Sequence, residues 1–357
     1  MVAQSQDFSE IPLLDLSSLR GSHLAIRDAI VRTLRGYLED IGFLYISGHG
    51  VPSESVASLR EASKHFHALP LEEKLKIKLD RNFRGYIPIN TSTIVTSSVA
   101  TVRKPNQSES LMIMHEVAAD DPAAIAGEPL QGPNQWPDEA LLPGFRATIE
   151  AYVLQMTGVA RTMAGLIADA LGVPPDSITR HFARPTTFLR LLHYPTQREE
   201  EGLFGSAPHT DYGFITLLAQ DDVGGLEVRN KAGVWVPVPP IPDTFVMNVG
   251  DILARWSNDR FVSTPHRVIN RSGRERYSQS FFFDPAMGSA IAVFPACVPA
   301  GEHAKYPPVI YGDYLMERID KNYQARMAPK AGPWASPSAV SDKCEASHLD
   351  SNEPSTK

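Results

Sequence analysis

Cysteine is scarce. Cys297 and Cys344 are the only two in 357 residues. No disulfide framework is possible on that count, and a reducing compartment is the expectation. Cys297, in "FPACVP", reads as a small buried hydrophobe. Long apolar runs are missing as well, and no stretch approaches the length of a bilayer span. The opening "MVAQSQDFSEIPLLDL" has neither the basic nor the apolar region of a signal peptide, and the final "STK" is no lipidation or retention signal. The expected location is cytoplasmic. Basic runs are also missing. With 34 basic against 41 acidic side chains, the formal charge is −7, which argues against a nucleic-acid-binding surface. The chain lacks a His-Glu-x-x-His pattern and a Gly-x-Ser-x-Gly nucleophile elbow, so the commonest zinc-hydrolase and serine-hydrolase arrangements have no support. What is present is an ordinary globular composition, 43% apolar, long enough for a well-buried core. On these features no nucleic-acid, membrane or obligate protein partner is expected.

The N-terminal third reads as a mixture. "IPLLDLSSL" suggests a short strand. Ile26, Ile30, Leu34, Leu38 and Ile41 recur at helical spacing. "GFLYISGHGVP" reads as a strand ending in a glycine-rich turn, and Ser53 is a candidate cap for a helix carrying Val56, Leu59 and Phe66. Residues 81–142, rich in Pro, Asn, Ser and Asp, read as long loops with short strands, a texture often found in lids. A long helix is expected from about Phe145 to Leu171, stopped by Gly172 and Pro174. From residue 186 the texture turns to β. "TTFLRLLHY", "GFITLLAQ", "GLEVRN", "VWVPVP", "TFVMNVGDILARW", "HRVINR" and "YSQSFFFD" form seven candidate strands separated by turn signals. That pattern predicts an antiparallel sandwich or barrel. A last helix is expected near "YGDYLMERIDKNYQ", and the Pro- and Ser-rich residues 328–357 are expected to be a disordered tail.

Three small patterns carry chemistry. "SAPHTDYG" sets His209 and Asp211 two residues apart, ahead of an apolar run. On a strand, such residues share one face and can converge on one ion. Alone, a His-x-Asp is most often a surface pair. "STPHRVIN" places His266 at the start of a later strand. Two histidines and a carboxylate make a facial triad with open positions, suited to non-haem Fe(II), with zinc the competing metal. "RYSQSFFF" places Arg276 and Ser278 on one strand face, where a guanidinium fork and a hydroxyl would receive a carboxylate.

His209-x-Asp211, His266 and Arg276-x-Ser278 together resemble the Fe(II)/2-oxoglutarate-dependent dioxygenases, and within them the subgroup similar to isopenicillin N synthase. "LEDIGFLYISGHGVP", "GPNQWPD" and the segment from "DVGGLEVRN" to "STPHRVIN" extend the resemblance over most of the chain. It implies a mainly β fold with flanking helices, a double-stranded β-helix or jelly roll. The organisation it implies is an N-terminal region with lid loops at 1–120 and a helix plus oxygenase core at 121–327. It further implies that His209, Asp211 and His266 bind Fe(II). Arg276, Ser278 and Tyr194 would hold the distal carboxylate of 2-oxoglutarate, with O2 the second cosubstrate and succinate and CO2 formed. Leu192 stands where many plant relatives carry Asn. The small-molecule substrate, expected to be a specialised metabolite, would be hydroxylated, desaturated or cyclised. Tyr212, Phe214 and Phe282 are candidates for the substrate side; Phe282 shares the Arg276 face by strand alternation. Three alternatives stay open. One is an Fe(II) oxidase or cyclase of the same fold that does not use 2-oxoglutarate. The others are a zinc hydrolase and a non-catalytic jelly-roll binding protein.

Overall fold

The longest helix shows why the chain folds in layers. In the computed structural model, which describes residues 7–19, 24–94, 97–197 and 200–323, the segment Phe145–Leu171 is one continuous helix. Ile149, Tyr152, Met156, Ala160, Met163 and Ile167 are buried along it. Gly172 ends it in the left-handed region, φ 73°, which glycine adopts without a Cβ penalty. The expected tail at 328–357 lies outside the described residues.

In chain order the strands and main helices are β1 (Leu13–Asp15), α1 (Leu24–Asp40), β2 (Phe43–Ser47), α2 (Ser53–His67), α3 (Leu71–Lys76), β3 (Gly85–Ile87), β4 (Glu109–Met114), α4 (Pro122–Ile125), α5 (Phe145–Leu171), α6 (Asp176–Thr179), β5 (Thr186–Tyr194), β6 (Ser206–His209), β7 (Ile215–Gln220), β8 (Leu226–Arg229), β9 (Trp235–Pro237), β10 (Phe245–Val249), α7 (Asp251–Trp256), β11 (His266–Val268), β12 (Arg276–Asp284), β13 (Ala290–Ile291), β14 (Val309–Ile310) and α8 (Tyr311–Tyr323). Eight strands form a major sheet in the order β1-β2-β10-β7-β12-β5-β4-β3. Four form a minor sheet in the order β6-β11-β8-β9. Strands from both sides of residue 120 thus share one sheet.

Strand alternation divides the core in two. On β12, Phe281 and Phe283 join the large apolar cluster shared with α1, α2 and α5. Leu192 and Tyr194 of β5 and Val246 of β10 instead face the minor sheet, against Leu226, Val228 and Val268. The result is a jelly roll of two sheets with helices packed outside the larger one. Arg276, Ser278, Ser280 and Phe282 alternate with the outward phenylalanines, so the inner face of β12 opens into the space between the sheets.

Several local expectations need correction. "TFVMNVGDILARW" is not one strand: β10 stops at Val249, Gly250 forms the N-cap, and α7 begins at Asp251. Ser53 does not cap α2; Pro52 holds the N-cap position with no side-chain bond. Ile26 is exposed, so the buried stripe of α1 begins at Ile30. Within 81–142, "ESLMIM" is a fully buried six-residue strand. Its lack of alternation reflects burial on both faces.

Candidate active site

The metal-ligand candidates come from the minor sheet and the turn that leaves it. His209 is the last residue of β6, and His266 the first of β11, directly paired with it. Asp211 is not on a strand. It lies in the turn between β6 and β7, so strand alternation does not explain its placement. The turn is held by main-chain bonds from the start of α7. Gly250 N donates to Phe214 O, Asp251 N to Asp211 O (2.7 Å) and Ile252 N to Gly213 O. These are helix N-terminal donors that need partners in any case.

One ligand atom from each of the three residues lies within 4.8 Å of the others. Asp211 Oδ1 is 3.7 Å from His209 Nε2 and 3.8 Å from His266 Nε2. The remaining polar atoms are engaged elsewhere. His209 Nδ1 donates to Ala207 O at 2.7 Å, which leaves its Nε2 as the acceptor. Asp211 Oδ2 accepts from Thr216 Oγ1 (2.5 Å) and Asn248 Nδ2 (2.7 Å), both reaching in from the major sheet. Such outer bonds orient ligands around a metal. Burial, followed by the neighbouring His266, lowers the His209 pKa to about 4, so the imidazole is neutral and free to ligate. Burial opposes ionisation of Asp211, but its imidazole neighbours and hydrogen bonds outweigh it, and its pKa is lowered. Two imidazole nitrogens and one carboxylate oxygen gathered this closely fit a divalent iron ion.

Asp251 ties the ligand segments together, a role that was not evident from the sequence. Its Oδ2 accepts from Thr210 Oγ1 at 3.2 Å and its Oδ1 from Ser263 Oγ at 2.7 Å. One carboxylate therefore buttresses the His209–Asp211 turn and the approach to His266. Gly213 is required for a different reason: a Cβ there would lie 1.8 Å from Asp284 Oδ1. Asp284 itself accepts from Phe214 N (2.6 Å) and Tyr311 Oη (2.7 Å), and burial pushes its carboxyl up to about 7.

The second group lies deeper between the sheets. Arg276 is fully buried. Nη1 donates to Ser278 Oγ at 3.2 Å, Nη2 to Gln220 Oε1 at 3.3 Å, and the guanidinium lies 4.7 Å from the Tyr194 ring centre. Nε has no partner. Among the described residues, no carboxylate pairs with Arg276. A buried cation in that position is costly unless an anion completes it. A 2-oxo diacid fits, with its far carboxylate on Arg276 and Ser278. Tyr194, Leu192, Arg276, Ser278, His209 and His266 all border the same cavity. His193, on the opposite face of β5, is engaged by Glu109, its Nδ1 2.8 Å from Oε1. Lys74 and Tyr86 donate to the same carboxylate.

A larger opening meets the ligand cluster from the other side, with about 920 Å³ of space including its mouth. Tyr212 and Phe282 border it, as do Phe188, Met112 and, from α8, Leu315 and Ile319. Phe214 does not. It is fully buried against Phe182 and Trp256, at ring-centre distances of 4.8 and 6.1 Å, because the α7 bonds turn it into the helix-facing core. Arg190 borders both spaces and was not singled out by any sequence pattern.

Known proteins place this geometry. Residues 185–285 match the 2OG-Fe(II) oxygenase superfamily, and residues 11–139 match the family described as non-haem dioxygenase in morphine synthesis N-terminal. An Emericella nidulans protein, 2-oxoglutarate-Fe(II) type oxidoreductase hxnY, is 37% identical over 321 residues, covering 87% of this chain and 90% of its own. The chain belongs to the 2OG-Fe(II) oxygenase superfamily. Homoarginine-6-hydroxylase 2-ODD-233 of Oryza sativa subsp. japonica is 34% identical to this oxygenase, covering 89% of this chain and 98% of its own. A full-length Neurospora crassa protein, solved in complex with α-ketoglutarate and thymine, matches with a TM-score of 0.78 at 29% identity, over 88% of this chain and 97% of the other. This oxygenase is an Fe(II)- and 2-oxoglutarate-dependent dioxygenase. Among its described residues, no helix is long and apolar enough to cross a membrane.

Proposed function

We propose that His209, Asp211 and His266 hold the iron. Arg276, Ser278 and Tyr194 hold the distal carboxylate of 2-oxoglutarate, and Tyr212 and Phe282 border the substrate. The observation that carries the reading is the buried Arg276, which among the described residues has no carboxylate partner and shares one cavity with the three-ligand cluster. Fe(II) held by these residues would supply activation of O2, coupling decarboxylation of the keto acid to succinate and CO2 with oxidation of a substrate C–H bond.

The chain's own contribution is positioning. Thr216 and Asn248 fix the Asp211 carboxylate, while Ala207 O fixes the His209 ring. Phe188 and Phe282, with Leu315 and Ile319, give the substrate an apolar wall that keeps water from the reacting carbon. A specialised metabolite is the substrate class we favour. The relatives' names, which include a homoarginine hydroxylase, and the thymine bound by the Neurospora protein show that similar proteins handle varied small molecules.

Anaerobic titration with Fe(II) and then 2-oxoglutarate tests the site. Wild type should develop visible charge-transfer absorption, and His209→Ala should not. Iron uptake without that absorption would remove the keto-acid assignment; an unchanged spectrum in His209→Ala would remove the metal assignment. A substrate screen read by succinate follows from the first outcome.

A further inference from the structure

Among the described residues, the opening that receives the substrate has one cation outside the cofactor assignments, Arg190. Arg190 sits on the inner face of β5, flanked by Met112 of β4 and Ser280 of β12. Its Nε donates to Ser110 Oγ at 3.0 Å, which fixes the plane of the guanidinium. Among the described residues, Nη1 and Nη2 have no hydrogen-bond partner, and no carboxylate pairs with them. The side chain is half-buried and borders both the cofactor cavity and the larger opening.

The other charged groups at the opening are already committed. Asp211 faces the metal position. Both oxygens of Asp284 are taken, by Phe214 N and Tyr311 Oη. With Fe(II) and the keto-acid dianion seated, Asp211 and Arg276 leave the cofactor site neutral, and Arg190 adds an unmatched positive charge. Most of the surrounding wall is apolar, including Phe188 and Phe282, whose rings meet edge to face at 6.3 Å, with the neutral Ser92, Thr93, Asn106 and Thr210 among the rest. A cation left unpaired against such a wall strongly favours an anionic partner.

We infer that Arg190 is the receptor for an acidic group of the substrate, so that the substrate is a small carboxylic acid with an apolar or aromatic body. This rests on the cofactor assignment above. The terminal fork of Arg190 would take the substrate carboxylate, and the aromatic wall its body, leaving a carbon of that body facing the ligand cluster. Arg190 would thereby set which bond is oxidised as well as which molecule binds.

Calorimetry on the Fe(II)- and 2-oxoglutarate-loaded protein, without oxygen, tests this directly. The probes are benzoate, phenylacetate and hydrocinnamate, each against its primary amide. In wild type, at least one acid should bind about tenfold or more tightly than its amide, the scale of a charge-assisted pair. Arg190→Gln should reduce that ratio to below about threefold, and Arg190→Lys should retain part of it. In both variants the charge-transfer absorption and the 2-oxoglutarate dissociation constant should stay within about threefold of wild type. An intact absorption with no acid preference in any pair overturns this inference alone. So does a tenfold loss of 2-oxoglutarate affinity in Arg190→Gln, which would assign Arg190 to the keto acid. A wild type that never develops the absorption overturns the cofactor assignment, and this inference with it.

Discussion

Replacing Arg276 by Met separates binding from stability. Arg276 is fully buried, with two hydrogen bonds, one unpartnered nitrogen and an aromatic contact, but no anion. Removing it without ligand relieves an unpaired buried charge, a gain of a few kcal/mol or so. It also leaves Gln220 Oε1 and Ser278 short of a partner, at about 1–3 kcal/mol, and loses the Tyr194 contact, at about 0.5–2 kcal/mol. These nearly cancel, so ligand-free stability should change by no more than about 2 kcal/mol. Binding should not be spared. Losing one side of a buried charged hydrogen-bonded pair costs about 2–5 kcal/mol, or roughly 30-fold to several thousand-fold in the 2-oxoglutarate dissociation constant. At a hundred times its dissociation constant, the keto acid should stabilise wild type by about 2.7 kcal/mol, or about 4 °C in Tm for a chain of this size. Thermal denaturation with and without 2-oxoglutarate would read both effects. Arg276→Met should keep a near-wild-type midpoint without ligand and show almost no shift with it. A variant shift matching wild type would refute the carboxylate assignment. A ligand-free midpoint collapsing by 10 °C or so would show that Arg276 is chiefly a structural residue.

Gly213→Ala should destabilise the fold and prevent iron uptake, because its Cβ would collide with Asp284 Oδ1 at 1.8 Å; denaturant midpoints and iron content check both. Phe214→Ala should lose about 3–5 kcal/mol of stability, as a buried aromatic does, with iron-site spectra retained if it refolds. Phe282→Ala should instead act mainly on substrate KM, a split visible in steady-state kinetics. Asp251→Ala should loosen both ligand segments and weaken Fe(II) binding about tenfold or more, measured by anaerobic titration. His115 is held neutral in the fold, its pKa lowered to about 4 by burial and then by Arg84. A depressed histidine contributes stability that is full above its unfolded value near 6.5 and is lost as pH falls toward about 4. His115→Gln should therefore flatten the acid limb of a stability profile between pH 6.5 and 4.

Much of this arrangement could be read from the chain because its elements are locally consistent. The stripe Ile149, Tyr152, Met156, Ala160 predicts α5 to its ends, since Gly172 supplies an unambiguous stop. "TTFLRLLHY" and "RYSQSFFFD" pair residue for residue as β5 and β12. The facial triad was legible as spacing, yet for an incomplete reason. Asp211 leaves the strand, and α7 main-chain donors set its position. That helix was missed because apolar residues run on across the break in "FVMNVGDILARW", and Gly250 there carries no side-chain cap. Phe214 was misplaced for the same reason. Arg190 left no signal because an arginine on a mixed strand is ordinary until β4 and β12 close around it. Asn248 and Thr216 likewise gain meaning only when β10 and β7 stand opposite the minor sheet.

The pairing of His209 with His266 also fixes when the metal can arrive. The strands that carry the two rings pair across a long stretch of chain, and Asp211 is oriented by strands of the other sheet. A nascent chain therefore offers no preformed nest for the ion, and iron cannot template the early steps of folding as zinc does in a finger. On the proposed assignment the sandwich has to close first. Iron would then bind only the finished molecule, so scarcity of the metal should leave a folded, inactive reserve that can be charged later rather than a pool of misfolded protein.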